Sequence, residues 1–163
     1  MADDVGVRST AKGILVHDGK VLLNRCNDIF NGDYYTLPGG GQEKYETLEE
    51  ALKREMLEET GYRICDIHFA GLYEEICDNE EYRRSYPQYC HKMYHYFLCG
   101  LASAQRVQAT EMDESQLACQ WICFDDLPNL AIYPLVLHAN LQRMIAEKEP
   151  IFLGSDHIKL PHG

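Results

Sequence analysis

Glu55, Glu58 and Glu59 are spaced i, i+3 and i+4, and with about 100° per residue they share roughly 100° of arc on one helix face. The same face begins with Leu48, Ala51 and Leu52, so the carboxylates continue a stripe that starts apolar. At about 6 Å and an effective dielectric near 20, each like-charged pair costs roughly 2–3 kcal/mol. A hard divalent cation offsets that repulsion, and oxygen-only ligands favour Mg²⁺, Mn²⁺ or Ca²⁺ over zinc. A solvated acidic helix end is the plain alternative. Two details count against it: the acids lie in line with the leucines, and glycines flank the segment at both ends.

The elements that must position these acids are written locally. Thr47-Leu48-Glu49-Glu50 has the capping-box form, which predicts a helix starting after Thr47. Gly61 marks its end, where a left-handed turn carries no Cβ cost. Upstream, Tyr34–Leu37 reads as a short strand stopped by Pro38, and Gly39-Gly40-Gly41 lets backbone approach a ligand closely. From Gly40 to Tyr62 the chain reads GGQEKYETLEEALKREMLEETGY. This resembles the Nudix box, G-x5-E-x7-R-E-U-x-E-E-x-G-U with U a bulky aliphatic. Every fixed position matches, with Met56 and Tyr62 standing at the aliphatic positions.

The resemblance implies an α/β fold, a Nudix-type α/β/α sandwich with a mixed sheet between helices, formed by residues 1–163 as a single domain. It further implies divalent-metal-dependent hydrolysis of a diphosphate linkage in a nucleoside diphosphate derivative. Glu55, Glu58 and Glu59 become the metal ligands, with the carbonyl of Gly40 or Gly41 assisting a Mg²⁺ ion, or Mn²⁺ in its place. Arg54 would orient one ligand through a charge-assisted hydrogen bond, and Glu46 would support the loop. Glu58 is the first candidate for the general base. Outside the box, Glu114 is the best-placed carboxylate, with Glu111 and Asp113 behind it. A non-catalytic nucleotide-sensing module is the alternative; all box carboxylates are present, which favours the enzyme.

Substrate contacts are expected from Arg25 at the end of a strand, from Tyr34 and Tyr35 as base-stacking rings, and from Arg83 within the polar stretch 77–89. The substrate itself is open. No proline lies about 15 residues past the box, as the ADP-ribose group would have, and the nearest is Pro87.

Composition sets the outer limits. A chain of 163 residues with 45% hydrophobic and 25% charged residues is long enough for one ordinary core. The formal net charge of −11 and the lack of a Lys/Arg cluster exclude nonspecific nucleic-acid binding and attraction to anionic membranes. No signal peptide and no apolar run near 18 residues is visible, and seven cysteines without a Cys-x-x-Cys pair fit a reducing cytoplasm. A homodimer is compatible with this composition, but nothing in it requires one.

In chain order, strands are expected at 9–16 and 21–24 around an Asp18-Gly19 turn, at 64–75, at 91–101 and at 120–124. A polar loop is expected at 26–33 and another at 77–89. An amphipathic helix follows Pro134, with Leu135, Leu137, Leu141, Met144 and Ile145 as its core positions. The tail reads as a short apolar patch, Ile151-Phe152-Leu153, before a polar end.

Overall fold

The computed structural model describes residues 5–111 and 116–159. Eight strands make one mixed sheet: β1 (Arg8–His17), β2 (Lys20–Asp28), β3 (Gly32–Thr36), β4 (Gly39–Gly41), β5 (Ile64–Cys77), β6 (His91–Leu101), β7 (Gln116–Cys123) and β8 (Ile151–Ile158). The hydrogen-bonded order is β3-β2-β1-β6-β5-β8, with β4 added to β1 and β7 added to β2. β1 runs parallel to β6 and β5 parallel to β8; the remaining pairs are antiparallel. Helices α1 (Leu48–Thr60) and α3 (Leu135–Glu147) cover opposite faces, and a short α2 (Glu80–Ser85) lies between β5 and β6. This is the expected α/β/α sandwich. Among the described residues, no helix is long and apolar enough to cross a membrane.

Strand alternation sorts β1 between two cores. Ala11 and Leu15 face α1, where Ala51, Leu52 and Met56 are fully buried with Leu22 and Phe97. Ile14 faces α3, packing with Val21, Leu23, Tyr94, Tyr96, Leu137, Leu141 and Met144. Leu135, expected in that core, is 67% exposed. At two residues it stands about 200° from Leu137 and so falls off the stripe of Leu137, Leu141 and Met144.

Three local expectations are corrected. The stretch 26–33 is a continuation of the β2–β3 hairpin, closed by Asp28 Oδ1 accepting from the N–H groups of Phe30 (2.9 Å) and Asn31 (2.7 Å). The polar stretch after Cys77 holds α2, whose N-cap Asn79 accepts from the Tyr82 N–H. The tail forms β8 and pairs in parallel with β5 from Gly71 to Cys77. Each depends on a partner or cap that alternation within the segment does not reveal.

Candidate active site

Helix α1 forms as its sequence directs. Thr47 Oγ1 accepts from the Glu50 N–H at 3.2 Å, and Glu50 Oε2 accepts from the Thr47 N–H at 2.7 Å. Gly61 ends the helix at φ 76°, and its N–H donates to the Leu57 carbonyl. The helix lies along β4, whose register against β1 sets Thr10 opposite Gly41, Ala11 opposite Gly40 and Lys12 opposite Gly39.

The flanking bonds Gly13 N–H to Pro38 O and Gln42 N–H to Ser9 O fix the phase of this ladder. Gly40 is therefore hydrogen-bonded to Ala11, while the polar backbone groups of Gly39 and Gly41 point away from β1. Of the two carbonyls expected to assist a metal, Gly40 or Gly41, that of Gly40 is taken by Ala11; the outward carbonyls are those of Gly39 and Gly41. They accept from Lys12 Nζ at 2.8 Å and from Arg54 Nη2 at 2.9 Å. Gly40 matters by lacking a side chain, since a Cβ there would come within 2.5–2.9 Å of the Glu55 carboxylate. Gly39, at φ 127°, occupies a region that side chains disfavour, and a Cβ would run into the Ala11 carbonyl.

The carboxylates are gathered. Arg54 holds Glu46 with both nitrogens of its fork (Nε–Oε1 2.6 Å, Nη2–Oε2 3.0 Å). Its Nη1 donates to Glu55 Oε1 at 2.8 Å and to Glu58 Oε2 at 3.2 Å. Glu59 is 5% exposed, and its Oε2 accepts from the Gly39 N–H at 2.7 Å and from Asn24 Nδ2 at 3.4 Å. The repulsion inferred from sequence is thus partly offset within the chain, because Arg54 orients two of the acids rather than one. Hydrogen bonding from Arg54 holds the Glu46 carboxyl down at about 2. Burial is the largest influence on Glu55 and pushes its carboxyl upward, with repulsion from Glu58 adding to it and Arg54 and Lys12 opposing it.

Among the described residues, no three metal-ligating side chains converge on one ion position. The donor set nonetheless fits a hard dication. Three carboxylates meet one guanidinium, and a fourth, Glu59, binds a backbone strand that only glycine allows so close, leaving the locality net negative.

The other expected residues separate into three groups. Glu114 and Asp113 lie outside the described residues. The loop leading to them does reach the site, since the N–H groups of Thr110 (2.9 Å) and Glu111 (3.0 Å) donate to the Glu58 carbonyl. Arg25, Tyr34, Tyr35 and Arg83 do not join the cluster. Arg25 alternates with Asn24 and so points from the opposite face of β2. Tyr34 is fully buried against Tyr133, leaving no face for a base. Tyr35 donates to Gln120 Oε1 at 3.2 Å. Arg83 closes the α2 excursion on the Cys77 carbonyl and on Asp78 (2.8 Å). The rings near the glycine strand are instead Tyr94, Tyr96 and Tyr133, which line a small recess with Lys12, Thr36, Leu37, Pro134 and Leu137. Sequence reasoning also missed Asn24, whose Oδ1 accepts from Gln116 Nε2 at 3.2 Å while its amide reaches Glu59. A polar residue inside an otherwise apolar strand was the available signal.

Comparison with known proteins decides the family. The NUDIX domain profile matches residues 7–142. The chain belongs to the Nudix family. Solved structures similar to this Nudix domain include a NUDIX hydrolase from Nitrosomonas europaea, with TM-score 0.69 and 18% identity over 89% of this chain and 93% of that one. A MutT protein from Bacillus halodurans is alike to the same degree, TM-score 0.69 and 18% identity, over 94% and 91% of the two chains. At such identities the likeness is one of fold. In sequence, an ADP-ribose pyrophosphatase of Methanocaldococcus jannaschii is 52% identical over 50 residues, which are 30% of this chain and 29% of that protein.

Proposed function

We propose that this protein is a divalent-cation-dependent pyrophosphohydrolase acting on the diphosphate bond of a nucleoside diphosphate derivative. The observation that carries the reading is the assembly of Glu55, Glu58 and Glu59 along β4, two on Arg54 and one on the Gly39 N–H. Mg²⁺, or Mn²⁺, held by these three carboxylates would neutralise phosphate oxygens and lower the pKa of a bound water. Arg54 fixes the directions of Glu55 and Glu58, so the acids are placed before substrate arrives. Glu59 ties the helix to the glycine strand and keeps the two walls in register. Glu58 is the general base we assign within the box, half-buried and already aimed by Arg54.

The name of the archaeal relative makes ADP-ribose the first substrate to assay. We place the protein in the cytoplasm, a reading supported by seven cysteines of which none forms a disulfide. Purified protein is expected to release a nucleoside monophosphate from at least one member of a panel of ADP-ribose, nucleotide sugars, dinucleotides, CoA derivatives and dNTPs. Release should require Mg²⁺ or Mn²⁺, and Glu58→Gln should lower it by roughly 10²–10⁴-fold with unchanged circular dichroism. A panel with no metal-dependent product would overturn hydrolysis in favour of nucleotide sensing.

A further inference from the structure

The three carboxylates account for one side of β4; the other side carries cations that the proposed chemistry has not used. Arg8 and Lys12 are four residues apart on β1, so strand alternation sets both on one face. Lys12 Nζ sits on the outward Gly39 carbonyl at 2.8 Å. Arg8 lies over Gly41, where a Cβ would come within 2.6 Å of its Nη2, and its guanidinium stands 5.0 Å from the Tyr89 ring centre. A Cβ on Gly40 would instead meet Glu55. Successive residues of β4 therefore face alternate sides, with a carboxylate on one and the Arg8 guanidinium on the other.

Neither cation forms an ion pair among the described residues, although the chain has 26 acidic residues against 15 basic ones. Both are half-buried. In a chain of net charge −11 any phosphate arrives against repulsion. Two unpaired cations flanking the glycine strand are placed to reverse that locally. Lys12 also lines the tyrosine recess, where the hydroxyl of Tyr96 is buried without a hydrogen-bond partner among the described residues.

We infer that Arg8 and Lys12 are a two-cation clamp for the diphosphate, holding it across β4 from the side opposite the carboxylates. This rests on the proposed hydrolysis for its substrate class. The clamp sets the anhydride along the outer edge of β4, where the outward carbonyls of Gly39 and Gly41 are met by Lys12 from one side and Arg54 from the other, with Lys12 holding the end nearer the tyrosine recess. Arg8 and Lys12 are positioning residues here: they bind non-bridging phosphate oxygens and take no proton.

The test uses the full chain with imidodiphosphate, a diphosphate that cannot hydrolyse at the bridge, titrated calorimetrically in the presence of Mg²⁺. Arg8→Gln and Lys12→Met are each expected to weaken binding about ten-fold or more, the effect of one lost charge-assisted contact. Arg8→Lys should recover part of it. With whichever substrate the panel yields, both variants should raise KM by a similar factor and leave kcat within a few-fold. Matching thermal transitions keep the comparison among folded proteins, and Arg8→Lys serves if Arg8→Gln does not fold. Binding and KM unchanged in both charge-removing variants would overturn the clamp while leaving hydrolysis standing. Absence of imidodiphosphate binding in the wild type would also overturn it. Weakened binding in a protein that hydrolyses nothing would uphold the clamp and remove the hydrolysis.

Discussion

Two charge clusters lie on opposite faces of the sheet and are built on opposite plans. On the α1 face, Arg54, Glu46, Glu55 and Glu58 keep side-chain exposures of 16–28%, and acids outnumber the base. On the other face, Lys92 and Glu75 are 8% and 2% exposed and matched one to one at 3.4 Å. Tyr94 closes over them, donating to Glu75 Oε1 at 3.4 Å, and stacks between Tyr73 and Tyr96. A sealed pair presents almost no exposed charge to a ligand. An open cluster with surplus carboxylate carries net negative charge that a cation could offset. The difference separates a charge pair closed off by the fold from a cluster left open to a ligand.

The comparison breaks most sharply at the sealed pair. Lys92→Met strands Glu75 in a site where burial already pushes its carboxyl upward. We expect a loss of about 3–5 kcal/mol in urea unfolding, most of it recovered by the double variant Lys92→Met/Glu75→Leu. A single variant as stable as wild type would remove the distinction.

A smaller effect sharpens it from the open side, through pH. Glu46 titrates at about 2 when folded against 4.5 as its ordinary value. A depressed acid contributes stability that is present above pH 4.5 and lost as pH falls toward 2. Glu55 is raised, so its contribution has the opposite sign: stability declines as pH rises through its titration. Glu46→Gln should therefore flatten the acid limb of a stability–pH profile, while Glu55→Gln should leave stability at pH 7 equal or higher. Identical profiles for the two variants would contradict the assigned roles.

The sequence made the local parts of this site legible. Thr47, Glu50 and Gly61 define α1 through contacts three or four residues away, and the order of acids along it follows from helical period alone. The pairing of β1 with β4 joins residues some 30 apart, so neither the outward phase of Gly39 and Gly41 nor the approach of Arg8 and Lys12 could be read from either segment. Arg25 and Tyr34 failed for a related reason. Their residue types suit a phosphate and a base, yet which face of the hairpin they take depends on the β2–β3 register and, for Tyr34, on packing against Tyr133. β8 was missed because its partner β5 lies far away in sequence, and its exposed, mixed residues carry little alternation.

The central claim is that the α1 carboxylates hold a divalent cation beside the glycine strand, and Mn²⁺ binding followed by electron paramagnetic resonance addresses it without any substrate. The account predicts at least one bound Mn²⁺ in the wild type, displaced by Mg²⁺, and an affinity at least about ten-fold weaker in the folded Glu58→Gln/Glu59→Gln variant. Equal Mn²⁺ binding by the two proteins would contradict it.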